Sequence, residues 1–416
     1  LEGLERSVMN GTASTDWDEW TREVRGLYAL LETENTEAWL KGLAPMLPFL
    51  NRILEDPTRS DEDRLLARER KEKVNRLLAE ISGLWEEAVA AQPAVVPGDS
   101  LNWEWQVLRR NPSATVKVVP LSLRLLGLWP NGQERTLWDG KTAPTANDLG
   151  DSLHRYAFRA ALPAGMPMSG PFWKAEGPRS AHYSVPDFGS HRPESPPSLM
   201  VESRWLWSIE AMEIPVTLRT PLLYKWTDPV LGERYRPMEV VPAWQLGLEP
   251  RQLVVPDGVR ELRFRLSLRI EGGPTAPKRT DTLRWGLAGW PEGWRLVSEP
   301  PLLLNPRPDS LYTWEAVLTT VGREGGQGGI VTPAVYRSVQ GRWIPQELSS
   351  VVRLEYGHIP IQTRVVPVDA TVVRLHQKSS GKVVGYLRGA GDETMTALAQ
   401  MGYRVVDLDP ATATPA

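Results

Sequence analysis

Glu261-Leu262-Arg263-Phe264-Arg265-Leu266-Ser267-Leu268-Arg269-Ile270 sets Leu262, Phe264, Leu266, Leu268 and Ile270 on one side of an extended chain and Arg263, Arg265, Ser267 and Arg269 on the other. Successive side chains of a strand point to opposite faces, so this run predicts a strand with one face in a core and one in water. Further β-prone runs divided by Pro, Gly and Asn lie on both sides of it, at 103–108, 115–126 and 156–161, then from Ile214 through 238–246, 282–287, 312–320 and 351–355. They predict two β-sandwich modules of Ig-like type, one over 93–165 and one over 214–355. Between them, 166–213 is rich in Pro and reads as an extended connection whose aromatics favour packing on a neighbour.

The first 92 residues have a helical period instead. Asp16 can cap a helix through Trp20, Val24, Leu27 and Leu31, and a second, through Trp39, Leu43, Leu47 and Leu50, is expected to break or kink at Pro45 and Pro48. Ser60 or Asp61 can cap a third, in which Val74, Leu77, Ile81, Leu84 and Ala88 form the apolar stripe. Its charges alternate in sign and read as a solvated face with i,i+4 pairs. At the other end, 383–387 reads as a strand, 393–401 as a helix closed by Gly402, and 404–408 as a second strand. Together they predict a βαβ piece within 356–416 that opens an α/β unit. The expected fold class is thus multi-domain and mainly β, with an N-terminal helical segment and a short C-terminal βαβ piece.

Cysteine is absent from the 416 residues, which excludes disulfides, a thiol nucleophile and Cys-ligated metal. A net charge of -3 offers no global field for a nucleic-acid backbone. No stretch approaches the roughly 18–20 apolar residues of a membrane-spanning helix. Residues 1–10 lack the pattern of a signal peptide, and the expectation is that residues precede Leu1.

The run Tyr356-Gly357-His358-Ile359-Pro360-Ile361-Gln362-Thr363, followed by Val384-Gly385-Tyr386-Leu387-Arg388-Gly389-Ala390-Gly391-Asp392-Glu393, then Ala397-Leu398 and Gly402-Tyr403, resembles the rear half of long bacterial PIG-L/LmbE-family deacetylases. Pro171-Phe172-Trp173-Lys174 and the stretch from Tyr224-Lys225-Trp226-Thr227-Asp228-Pro229 to Arg236-Pro237 are similar to the same proteins, in the same order. The family removes N-acetyl groups from amino sugars with zinc, through a His-Pro-Asp-Asp motif near the N-terminus that does not occur in this chain. The resemblance therefore implies a non-catalytic accessory region of a secreted or envelope protein. Zinc would lie in a deacetylase domain upstream of Leu1, and the parent protein would act on an amino sugar or glycan. His358, Gln362, Gly389, Gly391 and Asp392 are motif residues of unassigned role.

Other constellations are weaker. Zinc hydrolysis needs three converging protein ligands and an open position. Among the five histidines only His182 and His191, with Asp187 between them, form a local cluster, better read as surface loop residues. Asp228 and Glu233 are spaced as paired carboxylates, but the Pro and Gly around them read as a turn. Gly325, Gly326, Gly328 and Gly329 lack the motif of a phosphate cradle. Tryptophan pairs at 103/105, 205/207 and 290/294 suit a core, yet exposed indoles stack on sugars. Trp173, Trp205, Trp207 and Trp226 are accordingly the candidate glycan-binding residues, and a stand-alone carbohydrate- or protein-binding β module of the cell envelope is the alternative to the accessory reading.

Overall fold

The computed structural model describes residues 15–28, 30, 35–110, 115–140, 152–174, 185, 194–272, 281–300, 302–308, 310–322, 325–376, 382–389, 394–409 and 411. The chain is a mixed α/β, multi-domain protein of two compact units, Leu1–Val240 and Val241–Ala416. Among the described residues no helix is long and apolar enough to cross a membrane.

Among the described residues of the first unit, four helices come first, α1 (Thr15–Tyr28), α2 (Thr36–Leu43), α3 (Met46–Glu55) and α4 (Asp61–Ile81). The expected break between α2 and α3 falls at Ala44-Pro45, while Pro48 sits in the first turn of α3, where its missing N–H costs nothing. Ser60 caps α4 by accepting from the Asp63 amide at 3.0 Å. Trp17 of α1 donates to the Asp63 carboxylate at 2.9 Å, and Trp20 stacks on Phe49 of α3 at 5.7 Å, so the first turn of α4 and the face of α3 hold α1.

The stripe that continues past Ile81 is not helical: Leu84 and Ala88 lie in strand β1 (Leu84–Ala90). The helix stops at Gly83, whose φ of +74° is left-handed and whose missing Cβ would stand 2.0 Å from the Arg110 carbonyl oxygen. Strands β2 (Ala94–Val95), β3 (Ser100–Arg109), β4 (Val116–Leu128), β5 (Glu134–Gly140), β6 (His154–Ala161), β7 (Leu199–Ile209), β8 (Met212–Asp228), β9 (Gly232–Pro237) and β10 (Glu239–Val240) complete the unit. Eight of them form one sheet, ordered β5-β4-β7-β8-β1-β3-β6 with β9 on β8. The sheet curls until its terminal strands meet, Trp138 of β5 against Phe158 of β6 at 4.7 Å. A single curled sheet thus stands where a sandwich over 93–165 was expected.

Two boundaries move with it. β7, expected inside the connection 166–213, is an interior strand of the sheet, and β8, assigned to the second module, pairs β7 along Met212–Pro221 and then β1 at Leu222–Tyr224. The division therefore falls at Val240/Val241 and not near residue 213.

The second unit carries β11 (Trp244–Glu249), β12 (Gln252–Pro256), β13 (Glu261–Ile270), β14 (Thr282–Gly289), β15 (Trp294–Leu296), β16 (Leu303–Leu304), β17 (Leu311–Thr320), β18 (Gly329–Val339), β19 (Arg342–Pro345), β20 (Ser350–Leu354), β21 (Gln362–Val366) and β22 (Ala370–Leu375). They form a four-stranded sheet, β11-β13-β17-β15, a six-stranded sheet, β12-β22-β18-β14-β16 with β19 on β18, and the β20-β21 pair. β13 has the predicted bounds and alternation, with Phe264, Leu266, Leu268 and Ile270 without exposed surface. Trp285 of β14 meets Trp314 of β17 edge-on at 6.5 Å, where the two sheets touch. The Gly-rich turn serves Trp294: a Cβ on Gly326 would stand 2.0 Å from its Nε1, which donates to the Gln327 carbonyl at 2.9 Å. The βαβ piece forms as expected, with β23 (Val383–Leu387) and β24 (Arg404–Leu408) parallel around α5 (Thr394–Gln400).

Candidate functional site

β8 is long because it serves two purposes. Its first part completes the curled sheet, and from Leu223 it pairs with β9. Its last pair with β1 is Ala90–Tyr224. The remaining four residues carry the β8–β9 hairpin about 13 Å past the end of β1, at the usual rise of a strand. The tip is built locally. Asp228 Oδ1 accepts from the Val230 and Leu231 amides, both at 2.8 Å, and Gly232 takes a left-handed φ of +77°. Those two amides hold the Asp228 carboxyl below its ordinary range, Leu231 most and Val230 next. Val230 and Leu231 project from the tip, 88% and 64% exposed.

The two faces of the hairpin differ. On one, Tyr224 and Trp226 stack at 5.7 Å with their planes 15° apart, opposite Arg236 and Arg234 respectively. The Arg236 guanidinium lies 5.8 Å from the Tyr224 ring and 5.7 Å from the Trp226 ring, within cation–π range. Glu239 fixes it at 3.1 Å and the Pro93 carbonyl at 3.3 Å. On the other face, Lys225 Nζ bridges Glu87 of β1 at 2.7 Å and Glu233 at 3.4 Å, tying the hairpin to the sheet. Burial opposes the Lys225 charge, but the two carboxylates raise its pKa. Asp228 and Glu233 therefore do not converge; one holds the turn and the other a lysine on the opposite face.

A second polar cluster lies inside the curled sheet. Glu86 of β1 accepts from Ser203 of β7 at 2.7 and 2.9 Å, from Thr220 of β8 at 3.0 Å and from Trp105 of β3 at 3.3 Å. Ser203 Oγ in turn accepts from Trp205 Nε1 at 2.8 Å. Burial pushes the Glu86 carboxyl above the ordinary glutamate range, and these donors offset only part of that. With Trp105 packed on Trp205 at 5.6 Å and on Tyr156 at 5.7 Å, the cluster is a polar island in an aromatic interior. The Ser203 hydroxyl donates to Glu86 and accepts from Trp205, so the arrangement ties β7 to β1. Nothing in the local pattern of Trp85-Glu86-Glu87 signals it.

The sequence-predicted residues scatter. Trp205 and Trp207 have no exposed surface and stand on the interior side of β7, so neither has a ring face for a sugar. Trp173 is half-buried in a short 3-10 turn, edge-on to Phe172 at 5.4 Å. Trp226 is half-buried in the hairpin. His358 is exposed, 5.9 Å from Tyr356, and Gln362 starts β21 with its amide donating to the Pro360 carbonyl at 3.3 Å. Gly389 is exposed at the end of β23. Gly391, Asp392, His182, Asp187 and His191 lie outside the described residues. Among the described residues no group of three or more His, Asp or Glu is placed to hold a metal ion.

No family model matches the chain, and no curated protein is significantly similar to it. Among solved structures it is similar to the Escherichia coli adhesin FdeC (13% identity over 71% of this chain and 65% of that one, TM-score 0.17). It is also similar to a DUF4785 family protein of Legionella pneumophila (10%, 64% and 55%, TM-score 0.20) and to the Yersinia pseudotuberculosis adhesin InvE (9%, 68% and 64%, TM-score 0.15). The chain spans 55–65% of the length of these three.

Proposed function

We propose that the chain is a non-catalytic carbohydrate-binding module of the cell envelope, with the β8–β9 hairpin as its recognition element. The observation that carries this reading is the aromatic and guanidinium face at Tyr224, Trp226, Arg234 and Arg236, on a hairpin that runs past the sheet edge and is braced at both ends. A half-buried indole on a braced strand offers a flat apolar surface with little left to order on binding. The test is a glycan array probed with the full chain and with Trp226→Ala. Selective spots lost in the variant are expected. A silent array, or spots unchanged by the substitution, overturns the reading.

The ordered motif runs at 171–174, 224–237, 356–363 and 384–403 support a companion reading. In it the module is the accessory region of a PIG-L/LmbE-like deacetylase and presents the amino-sugar polymer to a zinc-bearing catalytic domain. The chain alone then releases no acetate from N-acetylglucosamine oligomers with or without zinc. Zinc-dependent release would overturn the non-catalytic assignment.

A further inference from the structure

We infer that the hairpin face selects an acidic sugar, one whose ring carries a uronate carboxylate. This rests on the carbohydrate reading above and adds the charge of the ligand. The two guanidiniums opposite the aromatic pair are not equivalent. Arg236 is committed to Glu239, to the Pro93 carbonyl and to both rings. Arg234 makes no hydrogen bond or ion pair among the described residues. Asp228, whose carboxylate its charge reaches, has an oxygen already accepting from two backbone amides. Lys225 and Glu233 point to the opposite face, where they satisfy each other. Arg234 is therefore the cation of this face whose fork of N–H donors is unengaged.

Its position gives the unengaged fork a use. Arg234 stands directly across from Trp226, and opposed side chains on neighbouring strands start about 5 Å apart at Cβ. A pyranose lying flat on the Trp226 indole carries an equatorial C5 carboxylate outward in the plane of its ring, and toward β9 that plane meets the Arg234 side chain. Guanidinium and carboxylate are both planar and join through two parallel N–H···O bonds, a match an ammonium cannot make. A neutral sugar brings the same ring to Trp226 but no acceptor for the fork. Aromatic stacking and the ion pair thus report on different parts of one ligand.

The test uses affinity gels containing polygalacturonate or hyaluronan, each beside its carboxyl-reduced neutral counterpart. The full chain is run as wild type, Arg234→Gln and Trp226→Ala, with circular dichroism as the check on folding. The expected result is that an acidic polymer retards the wild type at least about tenfold more strongly than its neutral form. Arg234→Gln brings the ratio of acidic to neutral retardation to about one, whereas Trp226→Ala weakens both, as loss of one charge-assisted contact and loss of the stacking surface require. Equal retardation by acidic and neutral polymers, unchanged in Arg234→Gln, overturns the acidic selection and leaves the carbohydrate reading standing. Retardation by acidic polymers that survives Trp226→Ala is polyanion attraction only and overturns the inference. No retardation in any gel overturns both.

Discussion

Replacing Glu86 tests the polar island inside the curled sheet. Three donors converge on its carboxylate, from Ser203, Thr220 and Trp105. In Glu86→Ala the half-buried Thr220 hydroxyl can turn away. The Trp105 N–H cannot, and the Ser203 hydroxyl is held because its oxygen accepts from Trp205. Two stranded donors at roughly 1–3 kcal/mol each predict a loss of about 2–6 kcal/mol. Glu86→Gln keeps an acceptor for Trp105 and Ser203 and donates to Thr220 Oγ1, so its loss at neutral pH stays within about 1 kcal/mol. The pH dependence has a defined sign. Burial raises the folded-state pKa above the ordinary glutamate value of 4.5, so the folded protein holds the proton more tightly than the unfolded chain. Stability from this group is then greatest below the unfolded pKa, falls as pH rises toward the folded one and is flat above it. Glu86→Gln, which does not titrate, gains on the wild type across that window. Urea unfolding over a series of pH values, read by hydrogen exchange in β1, β3 and β7, measures both effects. Glu86→Ala within 1 kcal/mol of wild type, or Glu86→Gln losing ground as pH rises, would refute the reasoning.

Three further outcomes are expected. Glu202, on the outer side of β7 with its side chain 7% exposed, takes Arg124 and Arg219, the latter also reaching Glu134 at 3.0 Å. Burial alone would raise its pKa, but the two guanidiniums together lower it, so its contribution is present above the unfolded pKa and lost as pH falls through the folded one. Glu202→Gln costs about 2 kcal/mol, less than a fully enclosed pair because both arginines reach water, and flattens the acid limb of a stability-against-pH curve. Gly83→Ala costs at least about 1–2 kcal/mol in denaturant melts, from left-handed strain and the clash with the Arg110 carbonyl. Trp205→Ala, at a site with no exposed surface, costs about 3–5 kcal/mol in the same melts, while polysaccharide retardation under folding conditions is unchanged.

How far the sequence carries depends on how local the deciding contact is. Alternation in 261–270 is complete within the run, and β13 forms with those bounds. Pro45 breaks α2 from α3 by its own geometry, and Gly389 to Gly402 frame a βαβ unit whose strands pair in parallel. Leu84 and Ala88 mislead because a spacing of four residues satisfies both a helix period near 3.6 and a strand period of 2. Gly83 resolves the ambiguity, but only through Arg110, which β3 brings back to it. The indoles pose the same problem at longer range. Trp205/Trp207 and Tyr224/Trp226 are both period-2 pairs, and each shares a face as the pattern requires. Which face is core is decided by partners far away: Trp205 is closed in by Trp105 of β3, while Trp226 lies beyond the last β1 pair, at Tyr224, and is only half-buried beside β9. Glu86 is the extreme case, with its donors on β7 and β8 separated from it by 117 and 134 residues. A buried indole and a binding indole thus look alike in the sequence. What separates them is the register of strands distant in sequence, and that register sets Trp226 across from Arg234, which makes no hydrogen bond or ion pair among the described residues.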